Sequence, residues 1–512
     1  MQLHLSSSIA WARSTLFIAL LAGGTSLVEG STPNPTTVSA SEGDVTSLDC
    51  RAAPDNPSAT TPLVAVLKAT RLSGPAPLAV LFDASCTLAL DATSHTFHHV
   101  RYAFDFGDER GEKWPISGLS KNLQNGGPLA AHVFDQPGTY QVRVRARDKQ
   151  GRESESTLTV TAQDPASSYE GTRTICVSAA RDFTGCPAGA AHQAALPGAS
   201  SYSGRRVLLR RSESFGEINI PHGSKSIQIG AFGAGDKPTV ARLNIGTIRP
   251  SSSAFPNDIT VMDLNVTGGI EQFVTVSRLL LYRNDVGALG TGMVAQISLA
   301  SALGYIVQHH TLPANQYFQP REIFVVENRV QGSTANPLMN MVGTGSRFVI
   351  MGNDMGTAQQ HTVRLYGVHK GFIAHNALRG KSSDGIRVAL KLQSGGLGDY
   401  HDNYAISRGD WASRQIVISN NQLGDTSDNN SFIGGASPEN NAEQSRQGIE
   451  DLVLENNRFV RGPKTNTEFI LMGRRMTTRG NVRTDGGAPN INQFNNSYSL
   501  LPAEWNGPYY VQ

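Results

Sequence analysis

The 512-residue chain has no apolar run of the ~20 residues a membrane-spanning helix needs. It has almost no charge excess, with a formal net charge of +2. A general polyanion-coating role, such as nucleic-acid binding, is therefore excluded, and any acidic ligand must meet a local patch. Cysteine is scarce too. The four residues Cys50, Cys86, Cys176 and Cys186 have no histidine at zinc-like spacing, so a zinc site is the weaker reading. An even set suits disulfides in an oxidising compartment. Cys176 and Cys186 lie ten apart and are expected to pair; Cys50 with Cys86 then ties the N-terminal tail to the first domain.

What is present begins with a leader. Residues 1–30 carry one positive charge, Arg13, then an apolar run from Leu16 to Ala22 and a small-residue exit ending at Val28-Glu29-Gly30. That is the layout of a secretory signal peptide. It implies a secreted product, extracellular or periplasmic, without membrane insertion. Residues 31–61 are rich in Ser, Thr, Pro, Ala and Asp and read as a linker that builds no core. The remainder is too long for one ordinary compact domain.

From 62 to 163 the pattern is β. Leu78-Ala79-Val80-Leu81-Phe82 is a strand-length apolar run, and Tyr140-Gln141-Val142-Arg143-Val144-Arg145-Ala146 alternates. The ordered motifs Gly74-Pro75-Ala76-Pro77-Leu78, Phe82-Asp83-Ala84-Ser85, Tyr102-Ala103-Phe104-Asp105-Phe106-Gly107-Asp108, His132-Val133-Phe134 and Pro137-Gly138-Thr139-Tyr140 resemble the PKD family. The resemblance implies an immunoglobulin-like sandwich, with Asp105 and Asp108 bonding backbone in a turn. Glu109 replaces the glycine common in that family, and a long excursion, 110–130, follows it.

The second domain, 171–512, repeats. A short apolar strand, then Asn, any residue and an apolar residue, recurs with Asn at 265, 284, 328, 353, 376, 421, 457 and 481. The steps of 19, 44, 25, 23, 45, 36 and 24 fall near 22 or near twice that value. One coil per repeat is expected, with weak coils skipped at the doubled steps and a loop added in the 36-residue one. The Asn side chains are expected to stack as an amide ladder, over about nine to eleven coils spaced by ~4.8 Å. This resembles the right-handed parallel β-helix of the pectate-lyase-like superfamily. The fold class expected is therefore all-β: an N-terminal PKD β-sandwich and a C-terminal right-handed parallel β-helix, or solenoid.

That fold hosts several chemistries, so function rests on the site. In Thr362-Val363-Arg364-Leu365-Tyr366 and Ala389-Leu390-Lys391-Leu392-Gln393, period-two alternation sends Arg364 and Lys391 outward, one above the other. Two stacked cations with no carboxylate in register call for an anionic ligand such as a uronate. His361 and Arg387 precede these strands, and Asn340 lies on an earlier one, so Arg387, Gln393 and Asn340 join the expected substrate-binding face. His375, beside a ladder Asn, reads as a solvated outer-face residue.

For β-elimination next to a uronate carboxylate, Arg364 suits neutralisation because its planar fork matches a carboxylate. Lys391, its pKa depressed by the neighbouring cation, or His361 would be the base. Tyr366 would donate to the leaving oxygen. A second constellation is acidic: Asp410 and Glu439, with Trp411 to stack on a sugar ring, fit glycoside hydrolysis. No cofactor is required by either set, although loop carboxylates of this kind also serve as calcium ligands. The chain carries neither the calcium-binding Asp set and arginine motif of pectate lyases nor the carboxylate motifs of polygalacturonases. The expected partner is an acidic polysaccharide, met by a lyase, with the PKD module as spacer or adaptor. The alternatives are a non-catalytic glycan-binding surface or matrix protein, and a hydrolase. No feature sets an oligomeric state.

Overall fold

The computed structural model describes residues 63–89, 96–246, 256–272, 276–287, 295–299, 321–332, 339–380, 388–393, 413–424, 431–434, 449–462 and 467–494. The leader and linker over 1–61 lie outside the described residues. Among the described residues, no helix is long and apolar enough to cross a membrane.

The N-terminal part is a two-sheet sandwich. Lys68–Ala69, Leu78–Asp83 and Leu129–Phe134 form one sheet; Ser73–Pro75, Glu153–Gln163, Gly138–Arg147, Arg101–Asp105 and Leu123–Gly126 form the other. Val80, Phe82, Phe104, Phe106, Phe134, Val142 and Val144 fill the space between. In Gly138–Arg147 the arginines are exposed while Val142, Val144 and Ala146 are buried. Leu78–Asp83 and Leu129–Phe134 instead are buried at every position, so both faces of that sheet are covered. Asp105 accepts from the Gly107 N–H (3.0 Å) and the Asn122 amide (2.9 Å), and Asp108 pairs with Arg110 and His132. Asp105 thus supports the turn backbone as the resemblance implied, whereas the Asp108 carboxylate is held by the Arg110 and His132 side chains.

The C-terminal part is a right-handed parallel β-helix with three sheets. The first sheet stacks eleven strands in register: Thr174–Val177, Arg206–Arg210, Lys225–Phe232, Asn257–Met262, Ser277–Tyr282, Arg321–Val326, the second halves of Met339–Met351 and His361–Ala374, Arg414–Ser419, Ile449–Glu455 and the second half of Phe469–Arg479. Ten spacings of ~4.8 Å make this stack ~48 Å long. The second sheet starts in Ser214–Ile220 and Thr239–Ile245 and continues as two-residue strands from Asn265–Val266 to Val482–Arg483. The third runs through Ile270–Gln272, Ala295–Leu299, the first halves of Met339–Met351 and His361–Ala374, Val388–Gln393 and Ser431–Gly434. Inward Ile, Leu and Val from all three sheets make one continuous core. Cys176 and Cys186 are disulfide-bonded near its start. Cys86 is also in a disulfide; Cys50 lies outside the described residues.

Two expectations about the repeat need correction. The steps of 44 and 45 skip no coil: Ser277–Tyr282 pairs directly with Arg321–Val326, and His361–Ala374 with Arg414–Ser419. Each doubled step is a single coil carrying an insertion. The ladder also begins at Asn284, not Asn265. Each ladder residue follows a left-handed one, and Asp263 (φ 57°) places Leu264 in the slot. The Leu264 N–H donates to Asn284 Oδ1 at 3.1 Å, while Asn265 bonds the Thr239 hydroxyl instead. From Asn284 to Asn457 each amide donates to the next Asn Oδ1, ending on Asn481, at 2.9–3.1 Å.

The sandwich is docked on the helix, not tethered beside it. Ala79, Leu81, Leu129, Ala131 and Val133 pack on outward Leu280, Phe324, Val349, Phe372, Val417 and Val453 of the first sheet. Polar contacts clamp both edges: Arg71 with Asp258 (2.8 Å), Asp83 with Lys370, and His98 with Asp451 (3.1 Å) on one side; Lys121 with Glu327 (2.9 Å) on the other. The 110–130 excursion supplies Trp114, Ser117, Lys121 and Gln124 to this contact. His375, expected in solvent, is 1% exposed. It stacks on Trp114 (5.0 Å, 8°) and bonds Ser117 Oγ and Gln124 Oε1, both at 2.8 Å.

Candidate functional site

The third sheet carries the two cations expected from the sequence. Val363, Leu365, Leu390 and Leu392 are buried in the helix core, and Arg364 is the register partner of Lys391. Their backbones therefore stand ~4.8 Å apart with both side chains on the outer face, as the alternation required. The column continues through Val342 and Ser298 on one side and Ile433 on the other, so the flanking positions hold no carboxylate. The Lys391 pKa is lowered to about 8, first by burial and second by Arg364. Desolvation outweighs the neighbouring cation, which the sequence reading had taken as the cause.

His361 opens its strand and is buried, with Nδ1 accepting the Val388 N–H at 3.2 Å. That bond engages the lone pair a base would use at Nδ1. Asn340 is buried on the rung before Arg364; its Nδ2 donates to the Gly356 carbonyl while Oδ1 has no partner. Tyr366 and Gln393 are register partners two residues beyond the cation pair, and only their backbone is described. Arg387, Asp410, Trp411 and Glu439 lie outside the described residues. Among the described residues, no group of three or more His, Cys, Asp or Glu could hold a metal ion.

Sequence reasoning missed Gln296 and Thr344, which stand on the same outer face without hydrogen-bond partners. The available signal was the alternation in Ala295-Gln296-Ile297-Ser298-Leu299, which puts polar residues outward at every second position.

Residues 65–161 match the model of the PKD domain, within the 62–163 span expected. Among solved structures, the chain is similar to the PKD domain of an M14-like peptidase from a Thermoplasmatales archaeon. Identity is 24%, coverage 20% of this chain and 94% of that one, and the TM-score 0.13. It is also similar to a family 28 exopolygalacturonase from Yersinia enterocolitica, at 9% identity, 85% and 87% coverage and a TM-score of 0.31. No curated protein matches the chain.

Proposed function

We propose that this protein is an exported lyase that cleaves an acidic polysaccharide by β-elimination on the third sheet of its β-helix. The observation that carries the reading is the Arg364–Lys391 register pair, in which burial and a neighbouring cation hold one amine near pKa 8. Arg364 binds the uronate carboxylate through its guanidinium fork and offsets the charge that builds as the C5 proton leaves. Neutral Lys391 takes that proton. The electron pair forms the C4–C5 double bond, the C4–O bond breaks, and the departing oxygen is protonated, with Tyr366 assigned as the donor. The chemistry uses side chains alone, and turnover is expected to survive a calcium chelator.

The test is incubation of residues 31–512 with a panel of acidic polysaccharides, reading ultraviolet absorbance from unsaturated uronate ends. Activity is expected to rise with pH to a plateau above about 8, because the base must lose its proton. Lys391→Ala and Arg364→Ala should each lose at least ~100-fold in kcat/KM. Unaltered turnover in these variants defeats the assignment. New reducing ends without the chromophore mean hydrolysis, and binding without product means a glycan-binding protein.

A further inference from the structure

The sandwich packs its three-stranded sheet on the β-helix and keeps the outer side of Gly138–Arg147 and Glu153–Gln163 in solvent. Arg143, Arg145 and Arg147 alternate on that side, three guanidiniums at ~6.8 Å intervals along one strand. Their side chains are 50%, 56% and 63% exposed, so a ligand reaches them without displacing protein. Arg101, on the neighbouring strand, is exposed too and is the register partner of Arg147. Like charges directly opposite each other weaken a sheet. Burial, and then the Arg479 cation, pull the Arg101 pKa below its ordinary value.

The carboxylates of this face hold the row only loosely. Glu155 is shared between Arg143 (3.3 Å) and Arg145 (3.8 Å), and Glu153 reaches Arg147 at 3.8 Å. Exposed ion pairs of this length contribute little to folding. Asp105, opposite Arg143, is engaged by the Gly107 N–H and the Asn122 amide. Glu455, which attracts Arg101 across the seam, is held by the Gly127 N–H and by Arg479, both at 2.7 Å.

We propose that the arginine row is a second, non-catalytic contact for an anionic polymer, gripping the carboxylates of an acidic polysaccharide strand on the PKD domain. The identity of the polymer rests on the reading of Arg364 and Lys391. Guanidinium forks match carboxylates bidentately. Gln141, Thr157 and Thr159 are exposed on the same side, and amides and hydroxyls pair with sugar hydroxyls as donor and as acceptor. The outward positions of these two strands hold no aromatic or aliphatic side chain. The face therefore lacks both the stacking rings of a single-strand nucleic-acid platform and the apolar anchor of a membrane surface. With a formal net charge of only +2, the whole chain has no general pull on polyanions, and the row acts locally.

The experiment measures the affinity of the intact protein for polygalacturonate by retardation in a native gel, with dextran as the uncharged control. The Arg143→Gln/Arg145→Gln/Arg147→Gln variant should bind at least ~10-fold more weakly. Its melting temperature should stay within ~2 °C of the wild type. Glu153→Gln with Glu155→Gln should bind about threefold more tightly, because two competing carboxylates leave the face. Unchanged affinity in the arginine variant, no gain in the glutamate variant, or equal retardation by dextran overturns the proposal. A larger fall in melting temperature, the mark of a structural role, overturns it too, as does tighter binding to phosphatidylserine vesicles or single-stranded DNA than to polygalacturonate. Weakened binding in the arginine variant without turnover of any acidic polysaccharide by the wild type supports the arginine row and overturns the lyase reading alone.

Discussion

Acidification should loosen the seam between the PKD domain and the β-helix through His375. Its ring lies flat on Trp114, and it is nine-tenths or more buried between the domains. Nε2 donates to Gln124 Oε1 while Nδ1 accepts from the Ser117 hydroxyl. Burial alone lowers the pKa from 6.5 to about 3. Lys121 stands 5.2 Å from the Trp114 ring centre, held by the Glu112 and Glu327 carboxylates. A histidine whose folded value is depressed binds its proton more readily when unfolded. Its contribution is complete above pH 6.5 and is lost as pH falls towards 3. At 1.36 kcal/mol per pH unit, that loss is about 2 kcal/mol at pH 5 and of order 5 kcal/mol near pH 3. Urea unfolding at pH 7 and pH 5 reads it directly when compared with His375→Gln, which keeps a polar side chain but cannot titrate. The wild type should lose about 2 kcal/mol more than the variant over that interval. Equal losses would refute the reasoning, whatever the other histidines contribute.

Three further outcomes follow from the same geometry. Gly352→Ala should lower stability by more than ~1 kcal/mol in thermal unfolding, because a Cβ there overlaps the Trp114 ring. Glu327 and His375 hold the equivalent left-handed conformation with full side chains, so the clash decides, and Trp114→Ala in the same chain should relieve part of the loss. Lys370→Met strands Asp83, which is fully buried, and should cost about 3–5 kcal/mol, with the Asp83→Asn/Lys370→Met double variant falling well short of the sum of the singles. Asn376→Leu removes the acceptor of the Asn353 N–H, one acceptor of the Asn353 amide and a donor to the Ile350 carbonyl and should cost at least ~2 kcal/mol by chemical denaturation. Asn265→Leu, outside the ladder, should cost less than ~1 kcal/mol.

Much of this fold was legible because its signals are local. Strand periodicity, the PKD motifs and the recurring Asn turns each occupy a few consecutive residues, and the outward placement of Arg364 and Lys391 needs only a period of two. The ladder register failed by one residue at Asn265 because the slot is defined by a backbone conformation, left-handed at Asp263, which L-residues of many kinds adopt in this chain. The coil count at the doubled steps failed because an insertion and a skipped coil lengthen the sequence equally. Only pairing between strands distinguishes them. His375 was misjudged because its environment comes from Trp114, Ser117 and Gln124, all distant in sequence.

The docking of the two domains was nevertheless written in the sequence, in the contrast between alternating and continuous strands. Val363-Arg364-Leu365 alternates, so only one of its faces is apolar. Leu78-Ala79-Val80-Leu81-Phe82 does not alternate, nor do Leu279-Leu280-Leu281-Tyr282 and Ile323-Phe324-Val325-Val326. A strand apolar at every position needs cover on both sides. The sandwich sheet has its own core beneath Val80 and Phe82, and the helix sheet has the helix core beneath Leu281 and Val325. Leu81 on one and Leu280 and Phe324 on the other then remain, and they cover each other. The PKD domain thus takes up the face of the β-helix least suited to water.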